Sequence, residues 1–159
     1  MRKIDLLLDE YGESHRNETN KLIHWICVPA IFFSVVGLIF SIPSDFLMNL
    51  LPFLGSFANW ATLALLLVLI YYVSLSVPLS LGMLLYSSFC LALANFLQIA
   101  FPGKLALISI GIFAIAWIFQ FYGHKIEGKK PSFLKDLQFL LVGPAWLMHF
   151  IYKRIGIAY

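Results

Sequence analysis

The chain has 159 residues, of which 61% are hydrophobic and only 12% charged, with a formal net charge of +3. A soluble domain carries about 25% charged residues, and one of this length leaves too much surface exposed to hide so much apolar side chain. Free cytosolic enzyme, secreted disulfide scaffold and disordered tail are thereby excluded, which leaves an integral membrane protein of one domain, residues 1–159. The basic residues sit at the ends of apolar segments and form no stripe of the kind nucleic acid requires. They suit lipid head groups instead. Cys27 and Cys90 both lie inside apolar segments, outside any CxxC pair.

In chain order, residues 2–14 place Ile4, Leu7, Leu8 and Tyr11 at i, i+3, i+4 and i+7, the stripe of a short amphipathic helix. Such a helix lies on the membrane surface or caps a bundle. The polar stretch Gly12 to Asn20 contains a turn. A crossing needs about 20 apolar residues for about 30 Å of hydrocarbon. Charge-free runs of 23, 58 and 20 residues (22–44, 46–103 and 105–124) therefore hold one, two and one crossings. The spacing predicts them at 24–42, 57–75, 79–100 and 105–123, with residues 46–56 in the interface and turns at Ser76-Val77-Pro78 and Phe101-Pro102-Gly103-Lys104. The uncharged stretch 137–152 is only 16 residues long and carries Gly143-Pro144. It reads as a re-entrant or interfacial helical segment. The expected fold is all-α: about four transmembrane helices, an amphipathic N-terminal helix and this C-terminal segment.

Four crossings put ten of the 11 Lys and Arg residues on one side and Lys104 on the other. The positive-inside rule then sets both termini in the cytoplasm, at a bacterial inner membrane or an endoplasmic reticulum.

All four histidines, His15, His24, His124 and His149, fall at the cytoplasmic ends of apolar segments in that topology. Each has a plainer reading: a solvated turn residue, an anchor beside Trp25, a cation at a helix C-terminus, a snorkelling group beside Lys153. One shared cause is more economical. Imidazole is the commonest metal-ligand side chain, and a histidine set without thiolates suits iron, zinc or copper over calcium or magnesium. His15 and His24 are about 900° apart on one straight helix, so they converge only if the chain turns between them. Asn20 and Gln120 stand at i−4 from His24 and His124, and Glu127 at i+3 from His124, positions from which they can orient imidazoles. Interhelical hydrogen bonding, or solvation for Glu127, accounts for them equally well.

The two motifs Tyr11-x3-His15-x4-Asn20-x3-His24-x4-Pro29 and Gln120-x2-Gly123-His124-x2-Glu127-x3-Pro131 together resemble the yeast 2-hydroxy-palmitic acid dioxygenase family and its bacterial relatives. The resemblance implies Fe(II) and an α-oxidation in which O2 removes one carbon from a long-chain 2-hydroxy fatty acid, without 2-oxoglutarate. In yeast that step belongs to phytosphingosine breakdown. It implies metal ligands His15, His24, His124 and His149, with Tyr11, Asn20, Gln120 and Glu127 around them. Two positions depart from the family: Cys27 where a glycine is common, and His149 where some members have a carboxylate. The competing class is a small transporter, channel-like or structural membrane protein with a histidine metal site. Its pathway would need ionisable groups at mid-depth, and the crossings have almost none. A di-iron desaturase needs histidine boxes that are absent here.

Overall fold

The structure is a computed structural model and describes residues 2–128 and 133–159, with side chains in the last helix from residue 139 onward. The described residues are helical throughout, with no strand among them: α1 (Lys3–Gly12), α2 (Glu18–Phe40), α3 (Asp45–Leu50), a 3₁₀ segment (Pro52–Phe57), α4 (Trp60–Leu75), α5 (Val77–Ala100), α6 (Leu105–Glu127) and α7 (Phe133–Ile155). Three of them, α2, α5 and α6, are long and apolar enough to cross a membrane; α4 is apolar but has 16 residues, about 24 Å of helix. The outward faces of α4, α5 and α6 expose Leu67, Ile70, Leu85, Phe96, Leu107 and Ile118. So large an apolar surface belongs against lipid.

Helix boundaries follow from local chemistry. The Asn17 side chain accepts hydrogen bonds from the backbone N–H groups of Thr19 and Asn20 and starts α2, with Glu18 in its first turn. Asn59 starts α4 by accepting from Thr62 N–H at 3.0 Å. Ser76 closes α4 and caps α5, whose first turn holds Pro78. Gly128, at φ 73°, takes the left-handed conformation that ends α6.

Helix α2 is the centre of the bundle, and α6 is its closest partner. They approach through small residues at both ends: a Cβ on Gly37 would stand 2.3 Å from Ser109 Oγ, and one on Gly123 2.4 Å from Asn20 Oδ1. Tyr86 on α5 donates its hydroxyl to the Pro29 carbonyl at 2.7 Å, and Phe40 packs with Ala94 in the same core. Helices α2 and α5 thus run parallel, and the starts of both share the histidine end.

The N-terminal stripe caps the bundle. Ile4, Leu8 and Tyr11 are buried against Val142, Ala145 and Trp146 of α7. The expected break at Gly143-Pro144 does not occur, and α7 is one helix. Gly143 serves close approach, since its Cβ would stand 3.1 Å from both Tyr11 Oη and Val28 Cγ1. Pro144 removes a helical hydrogen bond, and in that turn Tyr72 donates its hydroxyl to the Leu141 carbonyl at 2.6 Å. Further on, Tyr152 donates to the Pro78 carbonyl in the first turn of α5 at 2.7 Å. Helix α7 follows the end of α6 and reaches the start of α5, so it lies across the histidine end.

Candidate metal centre

Three histidines meet at this end. His15 comes from the α1–α2 turn, His24 from the start of α2 and His124 from the last turn of α6; they are 3%, 1% and 5% exposed. Ring centroids are 4.2 Å apart for His15 and His24, 5.0 Å for His24 and His124, and 5.5 Å for His15 and His124. One ligand atom from each lies within 4.8 Å of the other two.

Their orientation is fixed by the backbone. His15 Nδ1 is 2.7 Å from the Tyr11 carbonyl, and His24 Nδ1 is 2.9 Å from the Asn20 carbonyl. A carbonyl takes the N–H, which makes Nδ1 the protonated nitrogen and leaves Nε2 as the donor atom for a metal. The Tyr11 ring stacks on His15 at 4.2 Å and 12°. Trp146 stands 5.4 Å from the same imidazole.

Glu127 clamps the turn that carries His15. Its carboxylate accepts from the backbone N–H groups of Arg16 and Asn17, each at 2.9 Å, and from Asn20 Nδ2 at 3.0 Å. Asn20 Nδ2 also reaches the Ser14 carbonyl at 3.2 Å. The Asn20 amide was expected to orient His24; it is the Asn20 backbone carbonyl that does so, while the amide ties the turn to α6. Gln120, 6% exposed, lines the cavity between the imidazoles together with Val28, Ile31, Trp117, Phe139 and Leu140.

His149 does not join the group. Its Nδ1 meets the Tyr159 hydroxyl, and its ring neighbours are Phe150 at 5.2 Å and Tyr159 at 5.3 Å. The unbroken course of α7 gives Trp146 the place facing His15 and carries His149 about one turn further. There it lines a polar vestibule with Asp5, Asp9, Arg16, Lys21 and Lys153, which His15 also borders. Burial, and then the Lys153 ammonium, hold its pKa below the ordinary histidine value.

The donor set suits a divalent transition ion: three buried imidazoles, two of them tautomerically fixed, with no competing thiolate in the group. Nitrogens bound to one ion at about 2.1 Å each stand at most about 4.2 Å apart, a spacing that small ring rotations reach from the geometry here.

Comparison with known proteins gives this arrangement a family. The family model described as 2-hydroxy-palmitic acid dioxygenase Mpo1-like matches residues 1–155. The chain belongs to the Mpo1-like family. It is 31% identical over 148 residues to the 2-hydroxy-palmitic acid dioxygenase MPO1 of Saccharomyces cerevisiae, an alignment covering 90% of this chain and 76% of the yeast protein. No solved structure matches the chain. At this modest identity, membership of the Mpo1-like family and the resemblance to a named dioxygenase support an oxidoreductase acting on 2-hydroxy fatty acids. Sequence reasoning missed Trp146, Phe139 and Leu140 as neighbours of the site. Nothing distinguishes them in an apolar stretch until the course of α7 is known.

Proposed function

We propose that the protein is a membrane-embedded, Fe(II)-dependent dioxygenase that shortens long-chain 2-hydroxy fatty acids by one carbon with O2, its histidine end facing the cytoplasm. The observation that carries this reading is the buried group of His15, His24 and His124 at one edge of an apolar helix bundle, in a chain similar to a yeast protein named for that activity. A ferrous ion held there would chelate the carboxylate and hydroxyl of the substrate and activate O2, since three imidazoles leave positions open for all three oxygen atoms.

The chain's own residues do the rest. The carbonyls of Tyr11 and Asn20 hold the Nδ1 protons of His15 and His24 and keep the Nε2 atoms aimed inward. Glu127 fixes the turn bearing His15 against α6. Gln120 is the amide in an otherwise apolar part of the cavity wall and orients the polar end of the substrate. Trp117, Ile31, Phe139 and Leu140 exclude water from the reacting end. His149, outside the three-imidazole group, borders the vestibule as a polar-end contact and not as a ligand.

The test is anaerobic reconstitution of purified protein with Fe(II), then addition of 2-hydroxypalmitate and air, with mass spectrometry of the products. A fatty acid one carbon shorter is expected. Absence of turnover across a panel of 2-hydroxy acyl chains, with bound iron verified, would overturn the reading.

A further inference from the structure

A second cavity adjoins the metal site. It lies between α2, α4 and α7, and every residue lining it is apolar, including Phe32, Val35, Ile39, Ala61, Ala64 and Val68. Leu140 of α7 lines both this cavity and the one between the imidazoles. On α2 the lining is continuous, from Val28 and Ile31 beside the histidines to Phe32, Val35, Val36 and Ile39 deeper in the bundle. The path from His24 to Ile39 is about 22 Å along the helix, long enough for a long acyl tail.

Another apolar groove exists, bounded by Trp25, Pro29, Tyr86, Pro144, Leu147 and Met148. It shares no lining residue with the cavity of the imidazoles, so a molecule whose head is at the histidines does not reach it directly.

Resting on the functional reading above, we propose that the cavity between α2 and α4 holds the acyl tail of the substrate, with Leu140 as the gate between head and tail compartments and Ala61 and Ala64 setting the tail's course. Leu140 separates the two spaces, so a tail passes only when its side chain turns aside. The small alanines of α4 leave the room into which the tail extends. Lipid already offers a tail an apolar surrounding. The groove therefore contributes alignment and chain-length selection more than affinity: it places the first two carbons at the histidines for a tail of fitting length.

Two experiments on the full chain in lipid nanodiscs test this. The first compares the ratio of kcat/KM for 2-hydroxypalmitate to that for 2-hydroxyoctanoate in the wild type and in Ala64→Phe, which fills the groove. The ratio should fall about tenfold or more. An unchanged ratio in an active variant overturns the proposal. The second does not depend on turnover or on the variant's folding. Wild-type protein is irradiated with a 2-hydroxy fatty acid carrying a diazirine at its terminal carbon, and the labelled peptides are mapped. Label on residues 32–39 of α2 or 61–68 of α4 is expected. Label confined to Trp25, Leu147, Met148 or the lipid-facing surface overturns the groove assignment. Absence of product with every chain length, alongside label in the groove, would remove the dioxygenase reading and leave the tail site standing.

Discussion

Replacing Gly123 by alanine is a sharp test of how the centre is built. The added Cβ would stand 2.4 Å from Asn20 Oδ1, where ordinary contact begins near 3.4 Å. One of the two must give by about an ångström. Asn20 is not a loose side chain, because its amide is held by Ser14 and Glu127 at 3.2 and 3.0 Å. If α2 and α6 separate, overpacking costs about 1–3 kcal/mol. If the amide swings away, two hydrogen bonds of about 1 kcal/mol each are lost. Both routes disturb the residue whose carbonyl orients His24, and loss of such outer support lowers metal affinity by about 10–100-fold. The assay is metal affinity by chelator competition together with thermal unfolding in detergent, for Gly123→Ala, Asn20→Ala and the double variant. With Asn20 shortened, the clash is gone, so Gly123→Ala should cost little in that background. Equal cost of Gly123→Ala in both backgrounds would refute the reasoning.

Three further outcomes are expected. His15→Ala, His24→Ala and His124→Ala should each lose most bound metal, while His149→Ala keeps a wild-type metal-to-protein ratio by elemental analysis; the reverse pattern would return His149 to the ligand set. Glu127→Gln, which keeps the shape but turns one acceptor into a donor facing N–H groups, should weaken metal binding and expose the Gly12 to Asn20 turn to proteolysis; an unchanged digestion pattern would deny the clamp. Tyr72→Phe leaves the Leu141 carbonyl without its hydroxyl partner and should cost about 1–3 kcal/mol in unfolding, whereas Tyr122→Phe, on a side chain 58% exposed, should be silent; matching losses in both would show that the Tyr72 bond contributes nothing specific.

Much of this was legible in the sequence because membrane helices advertise themselves. The absence of charge from residue 46 to 103 required a pair of apolar helices, and Ser76-Val77-Pro78 marked the junction, where α4 ends at Leu75 and α5 begins at Val77. The polar stretch after Gly12 gave the turn that lets His15 and His24 meet. Counting charges put those two and His124 at one end, where the structure brings them together. The C-terminal segment was harder. Gly143 and Pro144 look like breakers in one dimension, but the glycine fits beneath Tyr11 and Val28, a contact that no local pattern reports. Taking the pair as a break placed His149 with the other three, and with it went the chance to see Trp146. The role of Asn20 was half visible: the i−4 spacing to His24 was right, but a side-chain identity does not tell whether amide or carbonyl makes the bond.

The Glu127 clamp has a consequence for how much of this protein a cell contains. The hydrogen bonds from Arg16 and Asn17 to Glu127 join residues 111 and 110 positions apart, and the three imidazoles gather at the same seam. An ion held by His15, His24 and His124 would fasten that seam from within, so that loading and seating of the N-terminal helix become one equilibrium. A ligand that binds only the closed form adds to its stability in proportion to the logarithm of its concentration, and marginal stability governs what proteases remove. On the proposed reading, iron scarcity would thin the population of the protein itself as well as silence the molecules that remain.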